Sequence, residues 1–144
     1  MDFFVLSQVK EILVIEDSMA DAKMVLWALD KNKRGKSVVN LMDGVQAMTY
    51  LKNRGERRKP DLILLDLNMP KKNGWEVLAE CKADAALRSI PIVVFSTSQA
   101  PQDVRRCYEL GANSFITKPF DLDAFKQAIE VIENYWLGLS LPSD

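Results

Sequence analysis

The chain has 144 residues, 48% of them hydrophobic and 27% charged, which suits one globular domain with a sizeable core and excludes a disordered one. Nineteen basic against twenty acidic residues leave a net charge of -1, without the basic stripe expected of a nucleic-acid binder. No histidine is present, so histidine bases, Ser-His-Asp triads and most zinc sites are excluded, and carboxylates, hydroxyls and lysine must carry any chemistry.

Glu11 to Ile15 (EILVI) is the first apolar run and reads as a strand ending in Glu16-Asp17-Ser18. Ala20 to Lys31 repeats apolar residues at helical spacing through Met24, Val25, Ala28 and Leu29, with Ser18 or Asp17 placed to cap it. Gly35 breaks the pattern, and Ser37 to Met42 reads as a second strand. Asp43-Gly44 opens a helix through Val45, Met48 and Leu51 that ends near Arg54-Gly55. Met24, Trp27 and Met48 read as helix-face core, and the basic run from Lys52 to Lys59 as a solvated turn.

The stretch Pro60 to Gly74, PDLILLDLNMPKKNG, is the most informative. A short apolar run bounded by turn residues fits a strand buried on both faces, and it delivers Asp66 where strand gives way to loop. Lys71-Lys72 reads as solvated loop, and a helix follows from Trp75 to Lys82 with Trp75, Leu78 and Cys81 on one side. Ile90 to Phe95 is a fourth strand, rich in β-branched residues. Pro101 suits the first turn of a helix that stops at Gly111. Asn113 to Thr117 is a fifth strand, and Asp121 caps a last helix through Phe125, Ile129, Ile132 and Trp136.

Strands and helices that alternate at this spacing imply right-handed crossovers and a five-stranded parallel sheet with helices on both faces. All strand ends then meet at one rim. Glu16, Asp17, Asp66, Ser96, Thr97 and Lys118 share it. Carboxylates held that close repel one another, and a divalent cation such as Mg2+ relieves them. An aspartate can also attack phosphorus to form an aspartyl-phosphate, with cations on the phosphoryl oxygens. Any one of these residues has an ordinary structural use, as a helix cap, a snorkelling lysine or core.

Taken together, Glu16-Asp17, Asp66 with Asn68-Met69-Pro70 and Gly74, Ser96 after the fourth strand, and Lys118-Pro119 resemble the receiver domain of two-component response regulators. The resemblance covers roughly Lys10 to Tyr135. The local wording EDS…AD, DGVQAMTYL, IPIVVFSTS and Tyr135-Trp136-Leu137 is similar to regulators paired with bacterial and cyanobacterial phytochrome kinases. The resemblance implies a flavodoxin-like strand order 2-1-3-4-5. It implies Asp66 as phosphoacceptor, Asp17 and Asp66 as Mg2+ ligands with the Asn68 main-chain carbonyl, and Glu16 as a ligand through water. Ser96 matches the hydroxyl that turns to the phosphoryl group, Lys118 its ammonium partner, and Phe115 the aromatic switch. Lys118-Pro119 matches a bond that is usually cis in the family. Thr97 stands where many receivers carry alanine or glycine, and its branched side chain could narrow access to Asp66.

The expectation is therefore one receiver domain over 1–144, with a core of about 10–136 and a tail of 137–144. It is a stand-alone response regulator that is not an enzyme, although it could promote its own dephosphorylation. The expected partner is a histidine kinase, of phytochrome type on the narrower resemblance. A phosphorylation-independent scaffold and a small phosphoryl-transfer enzyme are the alternatives. Asn68 counts against the enzyme, because a haloacid-type phosphatase wants an aspartate there. No apolar run reaches the roughly 18 residues that span a bilayer. The first residues lack a basic signal start, and Cys81 and Cys107 form no CxxC pair, so reduced thiols in the cytoplasm are expected. Val131, Tyr135, Trp136, Leu137, Leu139 and Leu141 exceed one buried stripe, which suggests a homodimer through the fourth helix, fifth strand, last helix and tail.

Overall fold

A computed structural model describes residues 10–31, 36–69 and 71–139, the side chains of Lys31 and Leu139 excepted. The signal-start reading, the Gly35 break, Pro70 and Leu141 lie outside the described residues. Strands β1 (Lys10–Ile15), β2 (Lys36–Leu41), β3 (Leu62–Leu65), β4 (Ile92–Ser96) and β5 (Ser114–Thr117) alternate with five helices. These are α1 (Met19–Lys31), α2 (Gly44–Lys52), α3 (Gly74–Ala83), α4 (Pro101–Glu109) and α5 (Leu122–Glu133). All pairings are parallel, in the order β2-β1-β3-β4-β5.

Side chains on a strand alternate between faces, and the core divides accordingly. Ile12, Val14, Leu62, Leu64, Val93 and Phe95 pack with α1 and α5 through Val25, Leu29, Phe125 and Ile129. Leu13, Ile15, Ile63, Leu65, Ile92 and Val94 pack with α2, α3 and α4 through Met48, Leu51, Leu78 and Cys107. Every residue of β3 and β4 is buried, which is why those runs are continuously apolar in sequence. Leu, Ile and Val side chains buried this way each contribute about 1.5–3 kcal/mol, far more than the surface ion pairs around them.

Helix starts follow the local chemistry. Ser18 Oγ accepts the Asp21 N–H at 3.2 Å, Asp43 caps α2, Asn73 and Glu76 form a reciprocal box at α3, and Asp121 caps α5. At the other end of α5 the chain continues as a π-helical segment, Asn134–Leu139. A buried ion pair from Lys36 to Glu133, 2.7 Å long, ties the end of α5 to the start of β2.

Two readings need correction. Trp27 is 37% exposed rather than core, because it turns to the outer side of α1, where Lys126 Nζ lies 5.9 Å from its ring centre. Trp136 and Leu137 pack against the α1/α5 core, since the π-helical segment turns them inward; among the described side chains of that set, Val131 and Tyr135 are exposed. Cys81 and Cys107 are free thiols, as expected, and wholly buried, and burial pushes them up to about 12 and about 11. Lys52, Arg58 and Lys71 are exposed, as the solvated readings expect, and they also pair: Lys52 and Lys72 with Glu80, Arg58 with Asp61, and Lys71 with Asp43.

Gly44 illustrates how tightly the loop after β3 is held. Its N–H donates to the Lys72 carbonyl at 2.9 Å, and a Cβ there would lie 2.1 Å from that oxygen. Alanine in a helix is ordinarily better than glycine by up to about 1 kcal/mol. Here the clash with backbone decides the sign. Gly44→Ala is expected to lower stability by about 1–3 kcal/mol, seen as a lower urea midpoint at unchanged slope.

Candidate functional site

Strand order reverses between β1 and β3, and both strands run out into acids. Ile15 pairs with Leu65, so Glu16 and Asp66 leave the sheet side by side. The Asp66 N–H donates to the Ile15 carbonyl and the Glu16 N–H to that of Leu41, each at 3.0 Å. Asp17 follows on the β1 loop. One carboxylate oxygen from each of Glu16, Asp17 and Asp66 lies within 4.8 Å of the others. Such crevices at a reversal of strand order are where open α/β sheets bind ligands.

Glu16 and Asp66 are buried and Asp17 is half-buried. Burial, with Glu16 and Asp17 adding repulsion, pushes the Asp66 carboxyl up to about 7, and Lys118 only partly offsets this. Burial also raises Glu16, against the pull of Lys118. An oxygen-lined, over-acidic pocket of this kind fits a hard divalent cation, for which Glu16, Asp17 and Asp66 offer the carboxylates.

Lys118 is the cation inside the cluster. Its Nζ is 2.5 Å from Glu16 Oε1, 2.8 Å from Asp21 Oδ2 and 3.6 Å from Asp66 Oδ1. Burial disfavours its charge, but the bonds to Asp21 and Glu16 prevail and its pKa is raised. Its backbone N–H donates to the Ser96 carbonyl at 2.7 Å, which fixes the end of β5 to the end of β4. The Lys118-Pro119 bond is trans, contrary to the cis geometry implied by resemblance; trans is the lower-energy isomer of an X-Pro bond by about 0.5–1 kcal/mol.

The remaining residues take distinct places. Ser96 is fully buried, and its Oγ accepts the Ser98 N–H at 3.3 Å. Thr97 is exposed and lines a cleft of about 160 Å³ with Asp21, Lys118 and Phe120. Asn68 is exposed in the loop after Asp66. That loop closes through a 2.9 Å bond from the Gly74 N–H to the Leu67 carbonyl, and a Cβ on Gly74 would meet the Asp66 carbonyl at 2.3 Å. Phe115 is not brought into the cluster. It pairs with Val94 two residues below the rim, is half-buried, and its N–H donates to the Tyr108 hydroxyl at 3.0 Å.

Two residues were not among the expected set. Asp21 is the partner of Lys118, and its position four residues after Asp17, at the start of a helix, is the signal that could have found it. Tyr108 holds the edge of β5, and nothing in its helical spacing announced that bond.

Residues 12–130 match the response regulator receiver domain. The chain belongs to that family. Among similar receivers, Response regulator Rcp1 of Synechocystis sp. (strain ATCC 27184 / PCC 6803 / Kazusa) is 43% identical over 138 residues, covering 93% of this chain and 94% of Rcp1. The crystal structure of the phosphorylated cyanobacterial phytochrome response regulator RcpA is similar at a TM-score of 0.89 and 41% identity, covering 94% of this chain and 99% of that one. The Mn2+-bound form of Rcp1 is similar at 0.87 and 40% identity, with the same coverage. The receiver fold, its strand order and its acidic pocket thus agree with the family. No helix among the described residues is long and apolar enough to cross a membrane.

The repulsion around Asp66 has a measurable cost in the metal-free protein. Asp66→Asn keeps the shape and removes one buried charge. It is expected to raise stability without metal by about 1 kcal/mol, or roughly 3–5 °C in Tm, measured by thermal melting in chelator.

Proposed function

We propose that this receiver accepts a phosphoryl group on Asp66 from a histidine kinase, with Mg2+ bound by Asp17, Asp66 and the Asn68 main-chain carbonyl, and by Glu16 through water. The observation that carries this reading is the juxtaposition of three acids, two of them at strand ends, with the buried Lys118 ammonium. In the transfer, an Asp66 carboxylate oxygen bonds to phosphorus as the donor's phosphorus–nitrogen bond breaks, and the electron pair leaves with the imidazole. The bound cation would neutralise charge on the phosphoryl oxygens, alongside Lys118. Ser96 then donates its hydroxyl to a phosphoryl oxygen, and Phe115 turns inward as Ser96 moves. Thr97, on the cleft wall, restricts water and slows loss of the phosphoryl group that the protein itself promotes.

The kinase we favour is of phytochrome type, because the similar proteins RcpA and RtBRR are described as phytochrome and bacteriophytochrome response regulators. The reading is of one receiver unit over about 10–136, acting in the cytoplasm without nucleic acid. Mg2+ is expected to raise the melting temperature of the wild type, by the equivalent of about 2.7 kcal/mol at 100 dissociation constants, and Asp17→Ala to erase the rise. Acetyl phosphate or a phosphohistidine kinase is expected to leave one base-labile adduct, read by mass spectrometry and absent from Asp66→Asn. Ser96→Ala should still be labelled while its structural response weakens. Labelling of Asp66→Asn at the wild-type level would overturn the assignment.

Phosphorylation is proposed to act through the face of α4, β5 and α5, as a two-fold dimer contact or a kinase contact. Tyr108, Val131 and Tyr135 are 49%, 63% and 59% exposed there, and Val131 and Tyr135 share one side of the helical run. Sedimentation velocity should show a larger species with beryllofluoride that Val131→Glu abolishes. A monomer in every state would end the dimer reading.

A further inference from the structure

We propose that Asp21 is a positioning residue that holds the Lys118 ammonium on the α1 side of the acid cluster, in competition with a phosphoryl group on Asp66. The proposal rests on the phosphoacceptor reading above and adds a residue to it. An ammonium has three hydrogens to donate. Two are taken by Glu16 at 2.5 Å and Asp21 at 2.8 Å, while Asp66 at 3.6 Å is beyond a good hydrogen bond. Lys118 is therefore parked beside Asp66 rather than bonded to it.

The three carboxylates around Nζ are not equivalent. Glu16 and Asp66 belong to the group that could hold a cation, and Asp21 does not. A cation that draws on Glu16 and Asp66 leaves Asp21 as the lysine's uncontested partner. Asp21 is also fixed in place, because its N–H donates to Ser18 Oγ in the first turn of α1. Its side chain is 31% exposed and faces the same cleft as Thr97 and Lys118, so the ammonium can leave it without unpacking the core. A phosphoryl group on Asp66 must then win Lys118 from Asp21. The ordinary alternative is a first-turn acid that only favours the helix dipole.

Beryllofluoride titration of the full chain at saturating Mg2+ separates the two. Asp21→Asn should bind beryllofluoride about three- to fivefold more tightly than wild type, the scale of a partly exposed ion pair, and Asp21→Glu should stay within about twofold of wild type. In a Lys118→Met background the Asn substitution should change affinity by less than about twofold, because the effect runs through the lysine. If that background binds too weakly to titrate, the 15Nζ resonance of Lys118 is read instead. In Asp21→Asn it should lie part-way towards its beryllofluoride-bound position before any is added. Equal affinities for wild type and Asp21→Asn, an equal gain without Lys118, or an unmoved resonance would each overturn the proposal. A wild type that binds neither Mg2+ nor beryllofluoride would take down the phosphoacceptor reading and this inference with it.

Discussion

The site depends on one buried ammonium set among four carboxylates. Lys118 lies close to Glu16, Asp21 and Asp66, and Asp17 stands just beyond. One positive charge cannot balance four carboxylates, and burial first, then repulsion from Glu16, pushes the Asp66 carboxyl up to about 7. Burying unpaired charge costs several kcal/mol unless a counter-ion is supplied. A divalent cation held by Glu16, Asp17 and Asp66 would relieve this imbalance. Stability and function therefore pull against each other at this rim, while the apolar layers on either side of the sheet supply the stability that tolerates it.

Backbone geometry turns that charge deficit into a shaped site. The reversal of strand order puts the ends of β1 and β3 side by side without any loop having to reach. The loop after Asp66 is then clamped from two directions. Gly74 allows it to fold back on the Asp66 carbonyl, and Gly44 lets the start of α2 hydrogen-bond to Lys72. Both glycines are used for close approach of backbone to backbone, where any Cβ would collide. Lys71, at φ 61, is a non-glycine residue in the left-handed region between them, a sign that the surrounding contacts hold the loop in place.

Much of this was legible in the sequence because the informative residues are local. Strands buried on both faces announce themselves as unbroken apolar runs, and β3 and β4 do so over their whole length. Asp43 and Asp121 mark helix starts that the structure keeps within a residue or two. The rim residues could be gathered because a parallel sheet sends every strand end to one side. What the sequence did not disclose depends on pairs distant along the chain. Asp21 meets Lys118 across 97 positions, and Lys36 meets Glu133 across the same separation. Trp27 and Trp136 each read as one more apolar residue on a helix, and only the turn of α1 and the wider π-helical turn after α5 decide which of them faces water.

The link from the rim to the outer surface is short and made mostly of backbone. Lys118 is bonded to the Ser96 carbonyl, so the ends of β4 and β5 move together. Phe115 lies three residues earlier on β5, an edge strand whose outward N–H would otherwise be open to solvent. That N–H is held by the Tyr108 hydroxyl of α4, itself half exposed. A shift of Lys118 from Asp21 towards Asp66 would therefore bear on β5 at its end and reach α4 through a single hydrogen bond. Such a route needs no deformation of the packed core, which resists small displacements. It needs only an edge strand that is tied down at two points, and β5 is tied at Lys118 and at Phe115. The charge deficit at the rim and the surface proposed to read it are joined by the least buried strand pair of the sheet on that side, where a change of one ion pair has the least packing to overcome.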